Sequence, residues 1–286
     1  MDQLKWMGIQ RQSANNISVD TYMTGATPNK EIQKQLLVLL KEFDDFCASN
    51  NINYSLHGGT LLGAVRNNGF IEWDDDVDVS MTRENFNKFL KAIRKTSTPP
   101  NFILDLSTSQ RPMLWSTDKN INVWLDVFVY DYISENHLLQ RSKLLLSIFF
   151  LAFTKTKNTM RVFRSGDHKK GIARIVVEGI YLTGKCFPMS WKVKANNFLS
   201  SFLFNGSKSL IYRSNDQYVG LKKIIPAMWM TTYTGHTFED FKFQVTTNWD
   251  EVLRSCYGDD YMIPKKDSDK VVKAHNLYRT FRVENE

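Results

Sequence analysis

Residues 56–81 read LHGGTLLGAVRNNGFIEWDDDVDVSM, a stretch that joins a pair of glycines to a cluster of aspartates. Residues 53–57 alternate as the end of a strand does, Gly58, Gly59 and Thr60 interrupt the alternation, and residues 61–66 have the apolar spacing of a short helix. Glycines at such a turn let a ligand approach the backbone, and the free amides at a helix start favour an anion. The turn therefore suits a phosphate group.

The aspartates that follow predict a metal site. Asp76 and Asp78 alternate with valines, so a strand here would carry both carboxylates on one side. Two like charges about 7 Å apart repel each other unless a cation lies near them. A third acid, Asp126, is the one charged residue in the apolar run NVWLDVFVY, residues 122–130. Carboxylates are hard ligands of the kind that Mg²⁺ prefers, so the three acids predict a divalent metal site.

Other interpretations of these acids remain open. Asp126 could bond to a backbone amide or an arginine instead of a metal, because buried carboxylates are paired in one of these ways. The acidic run could be a solvated loop. A calcium loop of the EF-hand type fits poorly, because it would need glycine where Val79 stands and glutamate where Asn85 stands.

The run GGTLLGAVRNNGFIEWDDDVDVSM closely resembles the signature of the LicD family, bacterial phosphocholine transferases related to fukutin, whose fold is of the nucleotidyltransferase type. Residues 125–131, LDVFVYD, are similar to the family's IDIFPLD-type strand, and residues 257–264, YGDDYMIP, to its YGDYM-x-P element. Glu72 departs from the family, which commonly has proline there, as do Lys265 and Lys266, where the family is often richer in proline. Residues 135–225 match no motif of the family.

The resemblance implies transfer of a phospho-alcohol, phosphocholine from CDP-choline first, onto a sugar hydroxyl of a cell-surface glycan such as teichoic acid, capsule or lipopolysaccharide, with release of CMP. The acceptor would be lipid-linked or polymeric. Glycerol phosphate, ribitol phosphate or phosphoethanolamine could be moved instead, and a true nucleotidyltransferase is a further alternative. A scaffold that has lost catalysis would be expected to lack one of the acids, and all three are present.

The resemblance also implies the site. Asp76, Asp78 and Asp126 become catalytic metal ligands for Mg²⁺ or Mn²⁺, and Asp126 is the expected base toward the acceptor hydroxyl. The expected contacts of the donor are, in chain order, Gly58, Gly59, Thr60, Arg66, Trp73 and Asp75. For Arg66 an exposed helix charge is an equal alternative, and for Trp73 simple packing is one. His57 is expected to be a hydrogen-bonding residue at a strand end.

Composition and cysteine usage place the enzyme inside the cell. A chain of 286 residues with 42% hydrophobic residues can bury a sizeable core and is not disordered. The cysteines at positions 47, 186 and 256 are odd in number, far apart and in no metal-ligand spacing, as expected in a reducing compartment. The amino-terminal residues lack the apolar core of a signal peptide. We therefore expect a cytoplasmic enzyme.

The positive charge of the chain is concentrated in residues 141–185, which hold ten Lys or Arg against two acidic residues. Within them, residues 144–153, LLLSIFFLAF, are strongly apolar but far shorter than the ~20 residues of a spanning helix. This run predicts either a buried core helix or a helix at the inner membrane face. In the second case the residues near anionic lipids would be Arg141, Lys143, Lys155, Lys157, Arg161 and Arg164. Nucleic acid is not expected, because no nucleic-acid-binding motif accompanies the basic residues.

The whole chain predicts an α+β fold with a nucleotidyltransferase-like core, a small mixed β-sheet that bears the three aspartates, and a mostly helical carboxyl-terminal part. The predicted units are an arm at residues 1–28, a catalytic core at 29–134, and a subdomain at 135–286 for acceptor and membrane contacts. Expected elements include helices at 29–49, 82–96 and 247–257, a strand at 101–106, and a turn and strand at 235–245.

Overall fold

The structure is a computed structural model that describes residues 28–96, 100–106, 111–118, 123–165 and 171–264. Apart from Pro28, the predicted arm lies outside these residues. The helices are α1 Pro28–Ser49, α2 Gly58–Asn67, α3 Arg83–Lys95, α4 His137–Phe153, α5 Lys157–Ser165, α6 Ile172–Gly184, α7 Met189–Phe202, α8 Tyr218–Leu221 and α9 Trp249–Tyr257. The strands are β1 Ser55–Leu56, β2 Val77–Thr82, β3 Phe102–Asp105, β4 Met113–Ser116, β5 Trp124–Ile133, β6 Leu210–Arg213, β7 Ile224–Pro226, β8 Tyr233–Phe238 and β9 Phe241–Thr246.

The long strand β5 organises a curled mixed sheet. It pairs in parallel with β2 on one edge, and on its other edge it pairs antiparallel first with β4 and then with β6. The sheet continues through β1 beside β2, β3 beside β4, and β7 beside β6. Aromatic and β-branched residues fill β5 and are buried almost throughout, as in a strand covered on both faces. The predicted mixed α+β architecture is confirmed.

Helices α1 and α3 form where the sequence predicts them and pack on this sheet. The apolar residues of α1 recur at helical spacing, and Phe43 packs edge-on against Tyr54 and Phe89 with ring centroids 4.9 and 5.6 Å apart. Thr82 caps α3 by accepting a hydrogen bond from the backbone N–H of Asn85. The strand predicted at 101–106 is β3, and the helix predicted at 247–257 is α9. All four predictions are confirmed.

Two local predictions are wrong in detail. The glycines at 58 and 59 do not form a turn before the helix but its first turn, because α2 already starts at Gly58 and Leu61 N–H bonds to the carbonyl of His57. The turn and strand predicted at 235–245 form a hairpin instead, with Gly235 inside β8 and the reversal at Glu239, where φ is 52°. Both errors come from treating glycine as a break although its neighbours continue the backbone hydrogen bonding.

The part of the chain beyond residue 134 is helical through α7, as predicted, but it also supplies strands. Strand β6 pairs with the second half of β5 and β7 pairs with β6, so the central sheet takes two of its strands from the predicted carboxyl-terminal subdomain. The division at residue 134 stays a prediction. None of the helices within the described residues is long and apolar enough to cross a membrane.

Lys143 faces the interior of the protein, so its expected contact with lipid headgroups is wrong. Its side chain donates hydrogen bonds to the carbonyls of Tyr132 and Ser200, at 2.5 and 2.8 Å, and to Asn205 Oδ1 at 2.6 Å. Burial lowers the pKa of Lys143 to about 8. The ammonium group ties α4 to α7 and to the end of β5, which charge counting along the sequence could not reveal.

Between its segments paired with β4 and with β6, strand β5 has no described strand beside it on that edge, and the side chain of Asn215 takes the place of one. Its Oδ1 accepts from Val129 N–H and its Nδ2 donates to the Val127 carbonyl, both at 2.9 Å and both buried.

The Asn215 contacts predict a loss of stability on substitution. We expect Asn215→Ala to lower the free energy of unfolding by about 2–4 kcal/mol, because the buried Val129 N–H and Val127 carbonyl lose their hydrogen-bond partner. Urea denaturation measures the change. Asn50→Ala removes an exposed amide that bonds to the Phe46 carbonyl and should cost only about 0.5 kcal/mol; equal costs would contradict the prediction.

Candidate active site

Asp78 and Asp126 lie side by side on neighbouring strands. They are Cα partners in the parallel ladder of β2 and β5, and paired strands run about 4.8 Å apart. Partners in such a ladder direct their side chains to the same face of the sheet. The two acids that the sequence places 48 positions apart therefore meet at one point.

Each of these two carboxylates has an oxygen without a partner. Asp78 Oδ1 and Asp126 Oδ1 are buried and make no hydrogen bond to any described residue. Burial raises the pKa of Asp78 well above its usual value, the charges of Asp76 and Asp126 raise it further, and Arg111 opposes them. Buried anionic oxygens without partners are costly, so this point of the sheet favours a cation.

The amino-terminal end of α2 packs closely against Asp78 and Asp74. Gly58 has φ +56°, and a Cβ there would lie 3.0 Å from Asp78 Oδ2, while a Cβ on Gly59 would lie 2.8 Å from Asp74 Oδ2. The buried Thr60 hydroxyl accepts a hydrogen bond from the backbone N–H of Asp78 at 3.0 Å. A Cβ at either position would force a carboxylate to shift, and the left-handed backbone of Gly58 additionally favours glycine. The positive end of the helix dipole thus faces the acidic end of β2.

Gly58→Ala should therefore damage both the fold and the site. The left-handed backbone costs a residue with a Cβ about 1–2 kcal/mol, and the methyl group would push against Asp78 Oδ2. We expect that loss of stability in thermal or urea unfolding, together with a lower turnover. Gly179→Ala is the matched control, because Gly179 lies in α6 with open space around its Cβ position; that variant should gain about 0.5–1 kcal/mol. A fully stable Gly58→Ala protein would contradict the strain argument.

A chain of alternating charges runs from Asp126 across the face of the sheet. Arg111 Nη1 donates to Asp126 Oδ2 at 3.0 Å, and its Nη2 lies 3.6 Å from Asp216 Oδ1. The second oxygen of Asp216 lies 2.9 Å from Arg213 Nε. The Arg111 guanidinium also lies 4.1 Å from the ring centroid of Phe128, which follows Asp126 on the same face of β5. The network fixes the orientation of Asp126 from the side opposite its free oxygen.

His57 ends this network as a neutral imidazole. Arg213 Nη1 lies 2.6 Å from His57 Nε2, and since a guanidinium can only donate, Nε2 is the acceptor. Burial lowers the pKa of His57 well below its usual value, and the charges of Arg213 and Arg111 lower it further. The expectation that His57 is a hydrogen-bonding residue at the end of a strand is confirmed.

The other predicted site residues differ in where the structure places them. Asp76 is half-buried immediately before β2, and its charge raises the pKa of Asp78. Asp75 is buried nearby in the same segment, and Trp73 packs against the hydrophobic core, as its simpler interpretation held. Arg66 lies in the last turn of α2, at the end opposite the glycines, and its contact with the donor stays a prediction. A basic residue there instead complements the negative end of the helix dipole.

The three predicted metal ligands do not form a ready-made cluster. Within the part of the chain that the structure describes, no three His, Cys, Asp or Glu side chains converge closely enough to hold a metal ion by themselves. What the structure offers is the pair of Asp78 and Asp126, each with one free buried oxygen. A metal site that includes Asp76 stays a prediction.

Sequence reasoning missed Arg111, Arg213 and Asp216. The run LIYRSND, residues 210–216, ends an apolar strand in charged and polar residues, the same signal that singled out Asp126, so Arg213 and Asp216 could have been found. Arg111 carries no such signal, because it stands alone before Pro112 and β4. Only the pairing of β4 with β5 brings it to Asp126.

Comparisons with known proteins match the part of the chain that forms this site. Residues 51–171, which include Gly58, Asp78, Arg111 and Asp126, match the family model described as LicD/FKTN/FKRP, nucleotidyltransferase domain. The chain is also similar to lipopolysaccharide cholinephosphotransferase LicD of Haemophilus influenzae, with 25% identity over 280 residues that cover 87% of this chain and 97% of that protein.

Shorter similarities come from uncharacterized proteins of Rickettsia prowazekii and Rickettsia typhi. Each is 44% identical over 50 residues, or 18% of this chain, and the match covers 19% and 16% of those proteins. Their names indicate no activity. The functional comparison therefore depends on the family model and on the Haemophilus influenzae protein, whose match is longer.

Proposed function

We propose, on the premise that this chain carries a LicD family domain, that the protein is a transferase that moves phosphocholine onto a sugar hydroxyl of a cell-surface glycan. The relative that is similar along most of both chains is named a lipopolysaccharide cholinephosphotransferase. In this proposal the donor is CDP-choline and CMP is the leaving group. The observation that carries the proposal is the in-register pair of Asp78 and Asp126 beside the amino-terminal end of α2.

The core of the protein, in this proposal, is of the nucleotidyltransferase type. The description of the matching family model supports that assignment. So does the local geometry, because a helix that starts with two glycines abuts one acidic strand, and a second acidic strand runs in parallel beside it. The amides at the start of α2 and the carboxylates of the two strands thus lie next to each other. Amides at a helix start bind a phosphate and carboxylates bind a cation, so a phosphate and a cation could bind side by side here.

Asp78 and Asp126 would hold Mg²⁺, or Mn²⁺, with Asp76 beside them. The fit depends on the two buried carboxylate oxygens that make no hydrogen bond to the described residues. Mg²⁺ is commonly held by one or two carboxylates and by the phosphates of the substrate, so two protein ligands suffice. A cation held there would offset the negative charge of the donor's phosphate oxygens.

The residues of the chain position the reactants. The amides of Gly58 and Gly59 hold the donor pyrophosphate, and Arg111 holds Asp126 through Oδ2. Both lone pairs of Asp126 Oδ1 are then open, one toward the cation and the other toward the proton of the acceptor hydroxyl. The acceptor hydroxyl oxygen attacks the phosphorus that carries choline, and the bond from that phosphorus to the oxygen of CMP breaks. The hydroxyl proton passes to Asp126 Oδ1. Most of the work is positioning and charge compensation, as is usual in phosphoryl transfer.

The reaction takes place in the cytoplasm in this proposal. The thiols of Cys47, Cys186 and Cys256 are free, which suits a reducing compartment. The acceptor glycan would then be modified before it reaches the cell surface.

Product analysis tests the proposed reaction. The full chain is incubated with Mg²⁺, a glycan acceptor and CDP-choline labelled in the choline, and CMP and labelled glycan are measured. We expect equal amounts of both, and the same result with Asp45→Asn, which changes an exposed carboxylate on α1. Release of pyrophosphate with the nucleotide on the product would contradict the proposal and indicate a nucleotidyltransferase. Transfer from CDP-glycerol, CDP-ribitol or CDP-ethanolamine but not from CDP-choline would contradict the donor.

A further inference from the structure

Helix α6 turns an apolar stripe toward solvent. Ile172, Ile175, Val176 and Leu182 recur at helical spacing and are 80%, 71%, 51% and 57% exposed. The opposite side of α6 packs so closely on α4 that a Cβ on Gly184 would overlap the carbonyl of Phe153. A surface helix normally exposes polar residues to solvent, so the exposed apolar stripe of α6 indicates an interaction site.

Helices α4 and α7 extend this apolar surface. On α7, Trp191, Phe198 and Phe202 are exposed along one stripe, with Lys194 between them. On α4, Leu145 and Phe149 are exposed at a spacing of four residues. All three helices are in contact, because both α6 and α7 pack against α4.

A row of aromatic rings, in which Phe153 is buried, connects the exposed residues of α4 and α7. Phe149 stacks on Phe153 with centroids 5.3 Å apart, Phe153 lies 5.6 Å from Phe187, and Phe187 stacks on Trp191 at 5.1 Å. The row runs from α4 through the α6–α7 connection to α7. We call the exposed apolar residues of α4, α6 and α7, together with this row, the helical face.

The helical face lies in the most basic part of the chain. Residues 136–209 contain thirteen Lys or Arg and two acidic residues, Asp167 and Glu178. Glu178 is already paired, since Arg164 and Arg174 lie 3.3 and 3.2 Å from its Oε1. The exposed basic residues on and beside these helices include Arg141, Arg161, Lys185 and Lys194.

We propose that the helical face docks the protein peripherally onto a membrane that contains anionic lipids. Exposed aliphatic and aromatic side chains would enter the headgroup region, where Trp and Phe are favoured, and the lysines and arginines would lie among the anionic headgroups. A second copy of the chain fits less well, because its own helical face would bring a second set of positive charges to the first. The charge thus selects a bilayer surface as the occupant.

Vesicle flotation tests the apolar contribution. The full chain should float with vesicles of phosphatidylcholine mixed with phosphatidylglycerol and bind far less to phosphatidylcholine alone. Ile175→Glu combined with Phe198→Glu should remove the vesicle-bound fraction, whereas Met228→Glu, at a residue 68% exposed outside the helical face, should leave it unchanged. A wild-type chain that does not bind the anionic vesicles would overturn the proposal. So would a loss of binding in Met228→Glu equal to that of the Ile175→Glu, Phe198→Glu double variant.

Charge reversal tests the electrostatic contribution. Lys185→Glu and Lys194→Glu should each weaken partition onto the anionic vesicles about fivefold or more, and added salt should weaken wild-type binding. Sedimentation of the same samples detects a second copy as the occupant. A dimer that Ile175→Glu breaks, together with no vesicle binding, would overturn the proposal. Turnover on a water-soluble acceptor should be unchanged in both charge variants, so a failure here is distinguishable from a failure of the proposed transferase activity.

Discussion

Asp78→Asn should abolish turnover and at the same time make the protein more resistant to heat. The turnover loss is expected to exceed roughly 10²-fold, because asparagine keeps the shape of the side chain but removes the negative charge that would hold a cation. The gain in stability has a separate cause. Burial and the charges of Asp76 and Asp126 raise the pKa of Asp78, so its ionised form destabilises the folded state.

The sign of this effect depends on pH. Because the pKa of Asp78 is higher in the folded protein than in the unfolded chain, the folded protein binds more protons between those two values, and stability falls as pH rises through them. The advantage of Asp78→Asn over the wild type should therefore be present at neutral pH and vanish toward the usual pKa of aspartate. Thermal unfolding in the presence of a chelator measures it, since a bound cation would stabilise the wild type.

The control for this prediction is Asp45→Asn, which removes an exposed carboxylate from α1 and should leave both turnover and unfolding temperature as they are. An Asp78→Asn protein with near wild-type turnover would remove Asp78 from the chemistry. An unchanged unfolding temperature would instead contradict the account of its burial, so the two readouts fail independently.

Asp126→Asn should also abolish turnover, but with a loss of stability. Arg111 Nη1 lies 3.0 Å from Asp126 Oδ2, whereas neighbouring strands are about 4.8 Å apart, so the attraction to Arg111 exceeds the repulsion from Asp78. Without the carboxylate charge, Arg111 loses its anionic partner at 3.0 Å, and the Asp216 carboxylate lies farther away, at 3.6 Å. We expect a loss of about 1–3 kcal/mol in the free energy of unfolding, measured by urea denaturation.

A double-mutant cycle with Arg111→Met supplies the control. If the pair accounts for the loss, Asp126→Asn should cost much less in the Arg111→Met background than in the wild type, because the guanidinium is no longer left without its closest partner. Equal costs in both backgrounds would show that Asp126 stabilises the fold by another route. Turnover should stay low in every variant that lacks the Asp126 charge.

The candidate site was predictable where local chemistry is unusual. A carboxylate inside an apolar strand, as at Asp126, and glycines just before an amphipathic run, as at Gly58, stand out because ordinary packing does not require them. Arg66 was considered for a different reason, because a guanidinium can hold a phosphate, and it lies in the last turn of α2.

Local pattern in this chain was enough to specify the mixed α+β class, helices α1 and α3, and the candidacy of Asp76, Asp78 and Asp126, because helix caps, apolar periods and isolated charges act over a few residues. The register that sets Asp78 beside Asp126 arises from pairings between segments far apart in the chain. So do the delivery of Arg111 to that pair, the contacts of Arg213 with Asp216 and His57, and the inward turn of Lys143. Such contacts depend on which strands become neighbours, and that choice is made by the packing of the whole core.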